Sequence, residues 1–164
     1  MTRSIRPLLV ASVLALALGA CGDVVSIEPV ADYQTWSKLE TRGNAPGHED
    51  SIRIIYANAV AGTYVGSGQY PLGTVLVKEV YAQNGDQPGA LRYVALMRRL
   101  DTAPAGGAID GGWLFTESET AGGEETNYAL CWARCHVSAP YHGAWFDYAK
   151  APPAMSPQPA RSRP

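Results

Sequence analysis

The chain has 164 residues and a formal net charge of −2 at pH 7, which is enough sequence for one domain. Its 15 acidic residues outnumber its 13 lysine and arginine residues, and no basic patch is interleaved with aromatic residues. This balance excludes nucleic acid and anionic membrane surfaces as partners bound through bulk electrostatics.

The first 20 residues have the organisation of an export signal. Arg3 and Arg6 form a positively charged start, and residues 8–18 form an apolar run that is too short for a comfortable membrane span. The run ends before Cys21, and small residues before a cysteine are similar to the signal of bacterial lipoproteins, in which that cysteine is lipidated. Ordinary cleavage nearby, which leaves Cys21 an unmodified thiol, is the alternative. Loss of the signal removes two arginines and no acid, which changes the net charge from −2 to −4.

The predicted secondary structure of the mature chain is mainly β. We expect a tether over residues 21–29, one domain over residues 30–149 and a proline-rich, disordered tail over residues 150–164. Apolar spacing predicts a helix over residues 30–40, and a second short helix is expected over residues 127–136. Alternating patterns and an Asn-Gly hairpin signal predict the strands between them, at residues 51–58, 74–82, 91–100 and from 112, followed by a polar loop over residues 116–125. The predicted fold is therefore an α+β domain, an antiparallel sheet with flanking helices.

Two charged residues inside the predicted strands are candidates for function. Arg53 lies among β-branched residues of the first strand, where it either reaches solvent at an edge or points into a pocket and stabilises an anion. Lys78 lies in the middle of the second strand, which is largely apolar on both faces and therefore predicted to be central. Burial of a lysine lowers its pKa toward the neutral, nucleophilic amine. A lysine that extends to solvent, or that pairs with an acid on a neighbouring strand, is the alternative.

The segment from Cys131 to His136 has two cysteines with a histidine directly after the second, which is the attachment pattern of haem c. Each thiol can form a thioether with the porphyrin, and His136 can bind the iron. Residues four apart share one face of a helix, so Cys131 and Cys135 can both reach one ring. A disulfide between the two cysteines is one alternative. A zinc site is less favoured, because His142 is the only other histidine nearby and no fourth ligand is evident.

Taken in their order along the chain, the features of the mature domain resemble those of the cytochrome P460 family. The first matching pieces lie at the start of the domain, and the stretch from Gly73 to Glu79 is the most specific of them. The haem motif with His136 closes the set. The pieces are Tyr33 to Trp36, Ile52 and Arg53 with Tyr56, Gly73 to Glu79, Tyr93 to Leu96, Gly111 to Trp113 with Phe115, and the two cysteines with His136.

The resemblance implies a β-sheet domain, commonly a homodimer, with a haem-binding helix near the C-terminus and one covalent haem c in each chain. Cys131 and Cys135 would hold the haem, His136 would bind a five-coordinate iron, and Lys78 would be joined to the porphyrin periphery. Arg53 would lie on the open side of the ring. The implied activity is oxidation of hydroxylamine, also involving nitric oxide, to nitrous oxide or nitrite, in the periplasm and with a redox partner cytochrome.

Two departures from the family pattern limit what the resemblance implies. Three residues separate the cysteines where the family usually has two. Some members also carry a carboxylate on the third strand that faces the pocket, and Met97 occupies that position here, with Asp101 the nearest acid downstream. Close relatives without the lysine link bind nitric oxide instead, in the manner of the β-sheet type of cytochrome c prime, so a nitric oxide binding cytochrome without turnover is one alternative. An electron carrier with Met97 or Met155 as sixth ligand is another.

Overall fold

The computed structural model describes residues 22–42 and 47–151. The predicted export signal, Cys21 and its predicted lipid, Met155 and nearly all of the proline-rich tail lie outside the described residues. Within the described ranges, none of the helices has the length and apolar character needed to span a membrane.

Seven strands form one antiparallel sheet in the part of the chain that the structure describes. The strands are β1 (Ser37–Thr41), β2 (Ser51–Ala57), β3 (Val75–Asn84), β4 (Gln87–Arg99), β5 (Ile109–Asp110), β6 (Trp113–Ser118) and β7 (Thr126–Asn127). The strand order is β1-β2-β3-β4-β6-β5, and β7 also pairs with β6. The prediction of a mainly β domain with an antiparallel sheet is confirmed.

The hairpin of β3 and β4 forms the centre of the sheet. Only Gly85 and Asp86 lie between the two strands, and Gly85 has φ of 59°. A two-residue hairpin loop favours a positive φ, which glycine adopts at no steric cost, so the Asn-Gly signal predicted this turn correctly. The strand β3 lies between β2 and β4, which places Lys78 in the middle of the sheet as its apolar neighbours predicted.

The predicted helix over residues 30–40 is wrong. A 3₁₀ turn, Tyr33–Thr35, is followed by strand β1, and Leu39 of β1 pairs with Ile55 of β2. The spacing of Tyr33 and Trp36, which suggested a helix, is satisfied by this one turn, and both residues pack in the same hydrophobic cluster. The next residues then gain backbone hydrogen bonds to β2 as an edge strand.

The predicted C-terminal helix is much shorter than expected. Residues 126–127 form β7 on the edge of β6, and the amide of Tyr128 donates to the carbonyl of Phe115 at 2.9 Å. The α-helix α1, Leu130–Arg134, therefore has five residues and is followed by the 3₁₀ turn His136–Ser138. Cys135 connects the two, so the cysteine motif spans one helical turn and its end rather than a long helix.

The segment predicted as a tether is hydrogen-bonded to the domain. The amide of Val25 donates to the carbonyl of Glu125 at 2.8 Å, and the amide of Ser26 donates to the carbonyl of Ala105 at 2.9 Å. Val25 is buried. The folded domain therefore begins earlier than residue 30.

The two faces of the sheet carry two separate hydrophobic clusters. One cluster contains Val77, Val94 and Leu96 and packs against Tyr33. The other contains Leu76, Phe115 and Trp113 and packs against the segment after β7. Because neighbouring residues of a strand point to opposite faces, Lys78 lies on the same face as Leu76. The second cluster therefore borders the candidate site.

A buried ion pair gives a direct test of this packing. Arg98 on β4 and Glu125 form a salt bridge whose side chains are 5% and 3% exposed. Removing one partner leaves the other charge buried, so we expect Glu125→Gln to lower the free energy of unfolding by roughly 3 kcal/mol in chemical denaturation. The exposed pair Arg42–Glu40 supplies the control, Glu40→Gln, for which a loss below about 1 kcal/mol is expected. Equal losses would contradict a buried Arg98–Glu125 pair.

Candidate functional site

A cavity of about 570 Å³ lies between the sheet and the segment after β7. This volume is within the range of roughly 300–1,000 Å³ that small-molecule and cofactor sites occupy. Its lining is mostly apolar, with a few convergent polar groups. All five residues that the sequence singled out line this one cavity, although they lie on β2, on β3 and in the C-terminal segment: Arg53, Lys78, Cys131, Cys135 and His136.

Lys78 lies in a row of residues that crosses four strands. Ile55 on β2 and Ala95 on β4 are its direct partners, and Glu117 on β6 is the partner of Ala95. Burial lowers the pKa of Lys78 to about 8, an effect that the Cys131 and Glu117 groups partly oppose. Burial also raises the pKa of Glu117, while Lys78 lowers it. At pH 7 roughly a tenth of the lysine amine is therefore in the neutral, nucleophilic form, far more than for an exposed lysine.

Glu117 is a carboxylate that the sequence interpretation placed wrongly in a polar loop. The strand β6 continues to Ser118, and Glu117 follows Trp113 and Phe115 at a spacing of two residues, which would have revealed its position on the cavity face. Met97 does line the cavity. Asp101 is exposed in the turn after β4.

His48 is the second residue that sequence reasoning missed. Its Nε2 atom lies 2.7 Å from Lys78 Nζ, and its Nδ1 atom lies 2.8 Å from Tyr93 Oη. Burial lowers the pKa of His48 to about 4, and the Lys78 charge adds to this effect. The loop around His48 carries no motif, and the contact joins residues 30 positions apart, so no local pattern could have predicted it.

Arg53 lines the cavity and also holds the loop that carries His48. Its Nε donates to Thr41 Oγ1 at 2.9 Å, and its Nη1 donates to the carbonyl of His48 at 3.1 Å and to Ser51 Oγ at 3.3 Å. The residue is 6% exposed. Of the two sequence alternatives, the structure has Arg53 buried at the pocket, not extended into solvent.

The two cysteines of the motif are both half-buried, free thiols, and no disulfide joins them in the described part of the chain. The amide of Cys135 donates to the carbonyl of Cys131 at 3.3 Å, which sets the two residues one helical turn apart. Burial raises the pKa of Cys131 to about 11. Its sulfur is therefore a neutral thiol beside the cavity at neutral pH.

His136 is oriented by a contact to the backbone. Its Nδ1 atom lies 2.7 Å from the carbonyl oxygen of Gly143, so Nδ1 carries the hydrogen and Nε2 keeps its lone pair. Burial lowers the pKa of His136 to about 4. The ring packs against Phe115 with centroids 4.9 Å apart. This is the arrangement of a neutral imidazole prepared to bind a metal through Nε2.

The carbonyl of Gly143 belongs to a tight turn between Tyr141 and Ala144, whose amides and carbonyls exchange two hydrogen bonds of 3.1 Å. The two central residues, His142 and Gly143, have φ of 50° and 95°, as hairpin turns require. Trp113 is fully buried and its Nε1 donates to the carbonyl of His142 at 2.8 Å. Strand β6 thus anchors the turn that orients His136.

The residues present fit a haem. Two thiols one turn apart, a neutral imidazole with an unprotonated Nε2 and a mostly apolar cavity are the groups that covalent haem attachment needs. Among the described residues, no cluster of three or more histidine, cysteine or acidic side chains is arranged to hold a bare metal ion. One imidazole nitrogen beside two thiols suits an iron whose other ligands come from a macrocycle.

Comparison with known proteins gives a family match. A family model described as Cytochrome P460 matches residues 30–146, which is more than half of the chain. The matched region begins before β1 and includes every residue of the cavity that the sequence singled out. No curated protein matches the chain.

The buried lysine predicts a pH-dependent stability for the chain isolated without a bound cofactor. With a pKa of about 8 when folded and 10.5 otherwise, Lys78 binds more protons in the unfolded state between these values, so the free energy of unfolding should rise with pH there. Between pH 7 and pH 10, the free energy of unfolding of wild type should rise by about 2 kcal/mol relative to that of Lys78→Met. Denaturant titrations at each pH measure this. Lys38 is exposed, so the free energy of unfolding of Lys38→Met should change with pH as it does in wild type. If Lys78→Met also followed the wild-type pH dependence, the amine of Lys78 would not be buried.

The turn that orients His136 predicts a strong penalty for a side chain at Gly143. A Cβ atom there would lie 2.7 Å from Trp113 Nε1. Gly143→Ala should therefore lower the free energy of unfolding by at least about 2 kcal/mol more than Gly122→Ala. Gly122 also has a positive φ, but a Cβ atom there would make only an ordinary contact, 3.9 Å from the carbonyl oxygen of Val30. Equal effects of the two substitutions in thermal or denaturant unfolding would show that Trp113 does not constrain the turn.

Proposed function

The chain belongs to the cytochrome P460 family and is thus a haem protein, and on that premise we propose that it is a haem c oxidoreductase that oxidises hydroxylamine. In this proposal nitric oxide takes part in the reaction, and nitrous oxide or nitrite is the product. The observation that carries the proposal is the meeting of Lys78, both thiols and His136 in one cavity.

Three residues of the C-terminal segment are proposed to hold the haem. Cys131 and Cys135 would supply the sulfurs of two thioethers, and His136 would supply Nε2 to the iron. When bound, the haem supplies an iron that accepts electrons and binds a small nitrogen compound. Nδ1 of His136 stays hydrogen-bonded to Gly143, which fixes the tautomer and the ring orientation.

Lys78 is proposed to form a third covalent attachment, to the edge of the porphyrin. The bond from Nζ to a ring carbon replaces one N–H and one ring C–H bond. Two protons and two electrons must therefore leave, and a two-electron oxidant of the peroxide class balances the step by becoming two waters. Only the unprotonated amine has the lone pair for this bond, and burial favours that form.

Two side chains are proposed to act on the bound substrate. Arg53 keeps its positive charge under all ordinary conditions, so it can donate a hydrogen bond to a nitrogen oxide in the cavity. Glu117, whose pKa is raised by burial, is a carboxylate able to receive protons released from hydroxylamine. Met97 occupies the position at which some family members have an acid, and Glu117 would serve the role of that acid.

Binding of nitric oxide without turnover is the second candidate function, and Met97 favours it. Its thioether lines the cavity where relatives with turnover are expected to have a carboxylate. In this alternative Glu117 does not replace that acid, so proton removal is slower. The same methionine is the candidate sixth ligand of an electron carrier. Both alternatives keep the same haem site and differ in what the iron does.

The cellular setting is proposed from the sequence. The export signal supports a periplasmic location, with lipid at Cys21 as the proposed anchor. Covalent haem attachment also requires an exported chain, so the N-terminal export signal and the C-terminal cysteine motif both support this location. We further propose a homodimer and a redox partner cytochrome that takes the electrons away.

Stopped-flow mixing of the oxidised, haem-loaded protein with hydroxylamine tests the proposal. Wild type should show reduction of the iron, and Lys78→Met should lower the rate by more than about tenfold because the attachment at Nζ is lost. Lys38→Met, on an exposed strand position, is the matched control and should keep the wild-type rate. An iron that stays oxidised in wild type, but binds nitric oxide, would favour the second candidate.

A further inference from the structure

Three side chains from separate parts of the fold form a continuous hydrogen-bonded chain. Lys78 Nζ on β3 lies 2.7 Å from His48 Nε2, and His48 Nδ1 lies 2.8 Å from Tyr93 Oη on β4. An ammonium group can only donate, so Nε2 accepts and Nδ1 carries the hydrogen toward Tyr93. This geometry is that of a base next to an amine, with a further group that receives the base's own proton.

The backbone of His48 is hydrogen-bonded although the residue lies on a loop. The carbonyl of His48 accepts from Ser51 Oγ at 2.6 Å and from Arg53 at 3.1 Å. The imidazole itself is within hydrogen-bonding distance of Lys78 and of Tyr93, so proton transfer from Lys78 needs no rearrangement of the loop.

The imidazole also has the protonation state that accepting a proton requires. Burial and the charge of Lys78 hold the pKa of His48 far below its ordinary value, at about 4. At neutral pH the ring is neutral and Nε2 has its lone pair. An amine nitrogen becomes strongly acidic while it bonds to an aromatic carbon, so a weak base is sufficient at that moment.

We propose that His48 is the proton acceptor for Lys78 when its amine forms a bond to carbon, and that Tyr93 completes the path to solvent. The inference rests on the proposed attachment of Lys78 to the porphyrin. As the N–C bond forms, the N–H proton passes to Nε2, the Nδ1 proton passes to Tyr93 Oη, and the phenol proton leaves to water. The ring proton and the two electrons go to the peroxide-class oxidant, which takes its second proton from solvent and leaves as two waters.

Other groups that face Lys78 modulate its charge and must be considered in any pH profile. The acidic groups around it raise its pKa, and Arg53 lowers it. His136 also interacts with its charge. The titratable or charged groups that face Lys78 are His48 from the loop before β2, Arg53 on β2, Tyr93 on β4, Glu117 on β6, Cys131 and Cys135 at α1, and His136.

The experiment measures the reactivity of the Lys78 amine in the full chain made without haem attachment. The probe is 1-fluoro-2,4-dinitrobenzene, whose aromatic carbon forms the N–C bond and releases fluoride. The chain has only two other lysines, Lys38 and Lys150. Peptide mass spectrometry gives the ratio of labelling at Lys78 to labelling at exposed Lys38 within each sample, at pH 7 and at pH 10.

At pH 7 we expect His48→Gln, which keeps a hydrogen-bonding side chain but no basic nitrogen, to lower this ratio by at least about tenfold. At pH 10 hydroxide removes the proton, so the difference should fall to within about threefold. Tyr93→Phe should cause a smaller loss with the same recovery. Glu49→Gln, in the same loop and exposed, is the control and should leave the ratio unchanged. An unchanged ratio in His48→Gln, or a loss that persists at pH 10, would overturn the proposal.

A second measurement separates this inference from the proposed function. Haem-loaded chains are treated with hydrogen peroxide, and the rate at which the Lys78 peptide becomes joined to haem is read by mass after thioether cleavage. If Lys78 became joined to haem at the same rate in wild type and in His48→Gln, the role of His48 would be overturned and the attachment of Lys78 would stand. A wild type that never links, while His48 still controls labelling by the probe, would overturn the attachment of Lys78 and leave the role of His48 intact.

Discussion

The hydrogen bond from His136 Nδ1 to the carbonyl of Gly143 is the contact on which the rest of the site depends. It fixes the tautomer of the imidazole and therefore which nitrogen is available to a metal. The carbonyl is in place because Gly143 adopts a positive φ in a two-residue turn, and the turn is in place because Trp113 donates to it from inside the sheet. The hydrogen bond from Trp113 on β6 thus fixes the position of a short and irregular C-terminal segment.

The sheet forms the opposite wall of the cavity and carries the reactive amine of Lys78 and the charged side chain of Arg53. Lys78 is central, so its amine is desolvated and its pKa falls to about 8. Arg53 and His48 are joined to one another through the backbone of the His48 loop, and His48 is joined to Lys78. The cavity therefore has an imidazole side, with His136, and an amine side, with Lys78, which is the division that the proposed covalently attached haem requires.

Sequence reasoning succeeded where the pattern was local. Alternation of apolar residues located β2, β3 and β4. The attachment pattern of Cys131, Cys135 and His136 stays a prediction, whose three residues line one cavity in the structure. Sequence reasoning failed where tertiary contacts decide, as at Tyr33 and Trp36, whose helical spacing is satisfied by one 3₁₀ turn. His48 could not be predicted, because its partners are 30 and 45 positions away along the chain.

The central claim is that this cavity holds a covalently attached haem on Cys131 and Cys135 with His136 as its iron ligand. Intact mass spectrometry of the denatured, exported protein, combined with its reduced pyridine spectrum, tests it most directly. We expect a mass increased by one haem that survives denaturation, and a spectrum typical of a haem with both vinyl groups saturated. A chain that carries no haem and has lost only two hydrogens, as a Cys131–Cys135 disulfide would, contradicts it.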